Sequence, residues 1–446
     1  MRVVVIGGAA MGMGVVAKLM RLDPTIEIVV FQKNDYVSLG ACGIPYFIGN
    51  KFSDSNIMLA RKVSDFENNK VKVFTNTIVE KIDFEKKQVF GKNNLRTIAE
   101  NYDKLVIATG GTPITPDVIS QKYENCYTVN SKEDAEEIKR ALPLAKNIVI
   151  IGAGLIGLEV AENISHSTSA QISIIEKGQR PLANLFDSEF TDLIEDELQK
   201  NQVNLIKNSE VIEIKTIKNK ISEVILKDNT KLKCDLLICS IGIRPNTDFL
   251  IGSELKLNNR NAIIIDKTGL TNLADVYSGG DCVQTFGRTY DNPTYTPLAT
   301  VASKHATIVA ENICGAKKEF SGTLNTAIVK VFALELARTG DNLQFLENNK
   351  VSYQEVFIKD KDHTNYLPGQ ENLYLKIYKD KQKNTLINAQ MAGYNNAVLR
   401  IHSLISLIWT QTNLTSGINE IDLPYAPPFS RTKDIINIAL GKIAEK

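Results

Sequence analysis

Reactive chemistry in this chain centres on one cysteine. The six cysteines stand at positions 42, 126, 234, 239, 282 and 314, with no CxxC pair and no histidine at zinc-finger spacing, so no metal site is expected. Five of them read as inert, buried thiols. Cys42 lies in Ser38-Leu39-Gly40-Ala41-Cys42-Gly43-Ile44-Pro45-Tyr46, and the segment after it reads as a helix start, a position that lowers a thiol pKa from ~8.5 and enriches the thiolate. Five residues further on stands Phe47, not a second thiol. A disulfide at Cys42 must therefore form with a substrate, or an oxidised sulfur must take its place. The histidines add little: His305 and His402 fall in helical stretches and read as packing or surface residues, His166 and His363 as loop residues.

The elements able to position such a thiol repeat within the chain. Arg2 to Ile6 is a β-branched run entering Gly7-Gly8-Ala9-Ala10-Met11-Gly12, followed by an amphipathic helix to about Leu22, a turn at Asp23-Pro24 and a strand from Ile26 to Phe31. Asn147 to Ile151 enters Gly152-Ala153-Gly154-Leu155-Ile156-Gly157, a helix runs towards Ser165, and the strand Gln171 to Ile175 ends at Glu176. Two such βαβ units imply two dinucleotide-binding domains. In the second, Gly152 permits the tight turn, Gly154 the approach of a pyrophosphate and Gly157 close helix packing, while Glu176, nineteen residues after Gly157, is placed for ribose hydroxyls. Glu176 would repel a 2′-phosphate and favours NADH over NADPH, although Lys177 softens that preference. In the first unit Ala9 replaces the second glycine and Gln32 the terminal acid, so the Gln32 amide oxygen is the ribose acceptor available.

Composition sets outer limits. The chain has 446 residues, 52 basic against 51 acidic side chains and 43% hydrophobic content, enough for two or three domains with full cores. That charge balance argues against a disordered tail protein and a dedicated nucleic-acid binder. The longest apolar stretch, Ile148 to Leu158, is far short of the ~20 residues that cross a bilayer. Glycines 7, 8, 12 and 14 and Lys18 break the signal-peptide likeness of the N-terminus, so a cytoplasmic location away from membranes is expected. Turns at Ile107 to Pro113 and Leu236 to Pro245 read as domain crossings, Lys379 to Lys383 as a solvated hairpin turn, and the part after about Gly322, with strands such as Leu373 to Tyr378 and an apolar helix around Ile401 to Trp409, as a separate α+β domain.

Taken in order, the two fingerprints, Tyr102-Asp103-Lys104 through Ala108-Thr109-Gly110, Ile241 to Asn246 and Tyr277-Ser278-Gly279-Gly280-Asp281 resemble the pyridine nucleotide–disulfide oxidoreductases. The resemblance implies an α/β fold with two Rossmann-like dinucleotide-binding domains and a C-terminal α+β dimerisation domain. The FAD domain would comprise residues 1–112 and 246–321, the NAD(P)H domain 113–245 and the dimerisation domain 322–446, leaving no room for an appended rhodanese-type module. By the same resemblance FAD is held by Gly7, Ala9, Ala10, Gly12, Gln32, Lys33, Ser38, Ala108, Thr109, Gly110, Asp281, Pro297 and Ala299, with Asp281 on the ribityl chain. NAD(P)H falls to Gly152, Gly154, Gly157, Glu159, Glu176 and Gly242, with Glu159 near the nicotinamide.

Dithiol members carry CxxxxC, and the lone Cys42 resembles instead the subgroup of coenzyme A-disulfide reductases, NADH oxidases and NADH peroxidases. Oxidases and peroxidases usually place a histidine in the first glycine turn, where this chain has Ala10. Cys42-Gly43-Ile44-Pro45-Tyr46 and Tyr425-Ala426-Pro427-Pro428-Phe429-Ser430 look more like the reductases, although Ala41, Leu39 and Met20 depart from their pattern. Coenzyme A carries phosphates, and Lys18, Arg21, Lys70 and Lys304, with Ser38, are the candidate contacts. The reductases tend to carry a tyrosine pair reached from the other subunit; Tyr425 matches one member, and Tyr366-Leu367-Pro368-Gly369 stands where two tyrosines are usual, which leaves Tyr425 as the expected proton donor. The expectation is a homodimeric FAD enzyme that uses NAD(P)H to reduce coenzyme A disulfide, or a related small disulfide, through a Cys42 mixed disulfide. An NADH oxidase or peroxidase with Cys42 as sulfenate, and a redox-sensing FAD/NADH-binding protein, are the alternatives.

Overall fold

Strands that are β-branched on both faces need cover on both sides, and the chain builds two sheets of that kind. The computed structural model describes residues 1–67, 71–119 and 121–445. In the first sheet the order is Val276–Ser278, Lys104–Ile107, Arg2–Ile6, Glu27–Phe31, Val71–Phe74, all parallel. The second runs Asn204–Ile206, Gln171–Ile175, Asn147–Ile151, Leu236–Cys239, Cys126–Thr128, again all parallel. Each glycine turn leads from a central strand into a helix, Ala10–Leu22 in the first unit and Leu155–Ser165 in the second. The strand expected from Ile26 begins one residue later, because the Ile26 N–H turns back to the Asp23 carbonyl while Glu27 bonds Met1.

The chain leaves the first sheet and returns to it on one ribbon, Gly111–Pro113 paired antiparallel with Ile243–Pro245. Alongside the parallel sheets lie two three-stranded antiparallel ones, Ile78–Asp83 with Gln88–Lys92 and Thr97–Asn101, and Val211–Ile217 with Lys220–Leu226 and Lys231–Lys233. The helix Ala299–Ile313 packs along Ala10–Leu22, where a Cβ on Gly14 would stand 2.8 Å from that of Ala306.

The C-terminal part is an antiparallel sheet in the order Ala327–Val331, Leu334–Gly340, Thr385–Gly393, Asn372–Asp380, Tyr353–Lys361, with helices Ile401–Trp409 and Ile435–Ala444 packed on it. Its other side meets the second unit through a shared apolar core, in which Val331, Leu334 and Leu336 join Phe190 and Ile194, and through polar groups. Lys376 Nζ lies 2.8 Å from Glu189, 3.2 Å from Asp187 and 3.6 Å from Glu355, the Tyr378 hydroxyl donates to Asp187, and the Asp187 N–H donates to Gln390 Oε1 at 2.8 Å. The turn at 379–383 is less solvated than its lysines suggest. Lys379 is buried with Nζ bonded to the Ile443 carbonyl at 2.9 Å, and buried Asp380 accepts from the N–H groups of Gln382 and Lys383, leaving only 381–383 exposed. No described helix is long and apolar enough to cross a membrane.

Lys376 is the buried cation that joins these two surfaces. Lys376→Met strands carboxylates of Asp187 and Glu189 without it, and stability falls by about 3–5 kcal/mol. A urea-unfolding midpoint equal to that of the parent would contradict this account.

Candidate functional site

The two glycine turns share their geometry. A Cβ on Gly7 would sit 2.1 Å from the Ala108 carbonyl oxygen and one on Gly12 1.8 Å from that of Gly7. In the second unit the equivalent distances are 2.6 Å from Gly152 to the Ser240 oxygen and 2.1 Å from Gly157 to the Gly152 oxygen. Side chains there are excluded by backbone, which brings each helix start close to its sheet. Gly154, by contrast, meets nothing nearer than 4.0 Å, and Ala9 and Ala10 are exposed. Gly110 (φ +69) and Gly242 (φ +116) use the left-handed region that glycine tolerates and face open space.

The residues ending the second strands hold the turns from inside. Glu176 accepts from the Ala153 N–H at 2.8 Å and the Gly178 N–H at 2.6 Å. Gln32 makes the matching bond: its Oε1 accepts from the Gly8 N–H at 2.9 Å, and its Nε2 donates to the Tyr36 carbonyl at 3.0 Å. The amide oxygen expected for a ribose also holds the turn, using one of its two lone pairs, with Gln32 8% exposed. Lys177 is engaged as well, 2.8 Å from Glu210.

Cys42 sits in a single 3-10 turn, Ala41–Gly43, followed by the five-residue helix Ile44–Ile48. Apart from Tyr46 that helix is buried, and it packs on Leu155–Ser165 of the second unit. Its C-terminal end is tied by Lys139, whose Nζ donates to the carbonyls of Phe47 (3.0 Å) and Phe52 (2.9 Å) and lies 3.9 Å from the Phe47 ring centroid. The thiol is reachable from solvent on one side and flanked by protein on the other. Burial of that flank pushes its pKa up, and the carboxylates of Glu159 and Asp281 push the same way. This reverses the lowering expected from a helix start, since so short a helix brings a small dipole against desolvation and two acids.

Glu159, on the second unit's helix, is pushed up to about 7 by burial and by neighbouring Glu162. Asp281 follows the Gly279–Gly280 turn and is raised by burial to about 6, with no side-chain partner among the described residues. The buried hydroxyl of Thr109, close to Cys282, has no hydrogen bond among the described residues. Ser38 takes a left-handed backbone (φ 57) and donates its N–H to the Gly8 carbonyl at 2.7 Å. Lys33 is exposed at the end of its strand, Ala108 is buried beneath the first turn, and Pro297 leads into Ala299, which opens the helix Ala299–Ile313.

The candidate cations do not form one tight cluster. Lys18 is paired with Glu311 at 2.8 Å, and Lys304 lies 5.5 Å from the Trp409 ring centroid. Gly14 against Ala306 and Lys18 against Glu311 set their helices side by side and parallel, so Lys304 stands about 10 Å from Lys18 along the pair. Arg21 is exposed in the last turn of its helix, and Lys70 lies outside the described residues. Tyr425 is exposed, with its hydroxyl 3.5 Å from that of Tyr366. The bond from Tyr366 lowers the Tyr425 pKa.

Sequence reasoning missed Lys139, which no motif marks, and the approach of Tyr366 to Tyr425, 59 residues away in the chain. The site's electrostatics give a direct test. Above about pH 7 the Glu159 charge opposes ionisation of Cys42. Glu159→Gln removes it, so the midpoint for Cys42 alkylation by iodoacetamide, followed by peptide mass spectrometry, moves to lower pH. An unmoved midpoint would show that this carboxylate does not act on the thiol.

Residues 1–306 match the family model described as pyridine nucleotide-disulphide oxidoreductase. Over 443 residues the chain is 30% identical to a coenzyme A disulfide reductase of Staphylococcus epidermidis, with 98% of each covered. It superposes on an NAD-dependent persulfide reductase from A. fulgidus with a TM-score of 0.94 and 31% identity, covering 99% of this chain and 83% of that one. The reduced CoADR-RHD of Bacillus anthracis gives a TM-score of 0.94 at 26% identity, covering 100% of this chain and 80% of that one. The protein therefore belongs to the pyridine nucleotide–disulphide oxidoreductase family, and is a flavin-dependent oxidoreductase that uses a pyridine nucleotide.

Proposed function

We propose that the protein is an FAD-dependent, NADH-driven reductase of coenzyme A disulfide that works as a homodimer. The observation that carries this reading is the solitary, solvent-reachable Cys42, placed where residues of both nucleotide units act on its thiol. The full-length likeness to coenzyme A disulfide reductase supports the substrate.

The residues at hand suit the cofactors. For FAD, the first turn offers exposed Ala9 and Ala10 at a helix start, the unpartnered Thr109 hydroxyl and the unpartnered carboxyl of Asp281 as a polyol contact. Gln32 would serve through the turn it fixes, with Gly7, Gly12, Lys33, Ser38, Ala108, Gly110, Pro297 and Ala299 around it. For NADH, Gly154 leaves room for the pyrophosphate and Glu176 keeps spare lone pairs for ribose hydroxyls, with Glu159 and Gly242 nearer the nicotinamide. Lys177, already paired with Glu210, is poorly placed to recruit a 2′-phosphate, which favours NADH over NADPH. When bound, the flavin supplies two-electron transfer from NADH to sulfur.

The chain's own groups do the rest. The Cys42 thiolate attacks one sulfur of the disulfide, forming Cys42–S–S–CoA as the substrate's S–S bond breaks and one coenzyme A thiolate departs. Tyr425 of the second copy gives its proton to that thiolate, and the Tyr366 hydroxyl beside it stabilises the phenolate left behind. Arg21 and Lys304 are the cations most free to meet phosphates, whereas Lys18 must first exchange its Glu311 partner.

Cys42→Ser should abolish NADH-dependent thiol release from coenzyme A disulfide and the coenzyme A adduct seen by intact-protein mass spectrometry. Tyr425→Phe should lower kcat by about a hundredfold, as loss of a general acid does. Undiminished thiol release by Cys42→Ser would overturn the mechanism, and oxygen uptake outpacing thiol release under air would identify an NADH oxidase instead.

A further inference from the structure

The ring of His305 is bonded at both nitrogens to the segment that carries Asp281. It is 3% exposed on the helix Ala299–Ile313. Its Nδ1 accepts from the Gly280 N–H at 3.2 Å, so that nitrogen bears no proton and the hydrogen resides on Nε2, which faces the Thr285 hydroxyl at 3.4 Å. Burial holds the imidazole neutral by depressing its pKa to about 4. The ring stands edge-on to Phe320, with centroids 4.5 Å apart, which fixes its rotation.

The turn is anchored on both flanks, by the Ser278 hydroxyl on the Ile107 carbonyl and by the Ile263 N–H on the Cys282 carbonyl, and between them the Gly280 N–H is held by His305. Gly279 is extended, and a Cβ there would lie 2.5 Å from Met11 Cε and 2.8 Å from His305 Cβ, so the strand end is pressed against this histidine. Gly280 then takes a left-handed conformation (φ +75) and delivers Asp281. From the far side the Tyr295 hydroxyl donates to the Asp281 carbonyl at 2.9 Å. The Asp281 carboxyl itself has no partner among the described residues to fix its aim, so the backbone must do so.

We propose that His305 is a positioning residue for flavin binding: through Gly280 it sets the direction of Asp281, and thereby controls the cofactor's affinity without touching it. The proposal rests on the reading that Asp281 faces the flavin. An imidazole is suited to the task because it accepts at one end and donates at the other across a gap between helix and turn. A side chain that packs equally well but cannot accept leaves the Gly280 N–H buried and unpaired.

The test measures FAD dissociation by fluorescence, and the flavin absorption spectrum, in the full-length protein carrying His305→Phe or His305→Gln. His305→Phe keeps the aromatic packing and should weaken FAD binding about tenfold to a hundredfold, with a shifted flavin band. His305→Gln retains an acceptor and should recover most of that affinity. Thermal unfolding of the apoprotein separates positioning from packing: for His305→Phe, the holo-minus-apo difference in Tm should shrink. An unchanged difference, or FAD affinity within twofold of the parent, overturns the proposal. Asp281→Asn tests the underlying reading separately. If it leaves FAD affinity unchanged while His305→Phe weakens it, the role given to Asp281 fails and so does positioning through it.

Discussion

The burial of one five-residue helix governs the arrangement of the site. Ile44, Phe47 and Ile48 join the core of the second nucleotide unit, although the chain around them belongs with the first sheet. Burying three large apolar side chains contributes on the order of 5–9 kcal/mol before entropy is counted. That is ample to fix a segment too short to be a stable helix alone. Lys139 completes the seat by bonding the Phe47 carbonyl in the last turn of the helix and the Phe52 carbonyl in the segment that follows it. Cys42, one turn upstream, has its place decided by that contact.

The same contact sets the electrostatics. It brings Glu159, from one unit, to bear on a thiol whose other charged neighbour is Asp281, from the other. Both acids are desolvated enough to titrate near neutrality, at about 7 and about 6. Together with burial they push the Cys42 thiol towards its protonated form, whereas cationic or hydrogen-bonding groups would favour the thiolate. Reactivity at Cys42 is in this sense conditional on what occupies the space around it.

The C-terminal sheet constrains the second unit from outside. Asp187, at the entry to the helix Ser188–Lys200, is held by Lys376, Tyr378 and Gln390 on neighbouring strands. A polar contact of this kind fixes orientation more narrowly than an apolar one, because each donor needs its acceptor. The Tyr366–Tyr425 pair lies on this C-terminal part and stays exposed.

Local sequence determined the two strand–glycine–helix units, because β-branched runs and glycines that exclude a Cβ encode themselves over a few residues. The limits of Asn147–Ile151, Leu155–Ser165 and Gln171–Ile175 follow directly from that pattern. The singularity of Cys42 is also a property of the sequence, as no neighbour supplies a second thiol. Tertiary structure decided what crosses between segments: the Gln32 bond to Gly8, the Lys139 seat, the upward push on Cys42, the pairing of Lys18 with Glu311, and His305 on Gly280. The reason is physical. Backbone conformation is set by near neighbours, whereas desolvation and hydrogen-bond partners depend on groups that packing brings together from distant parts of the chain.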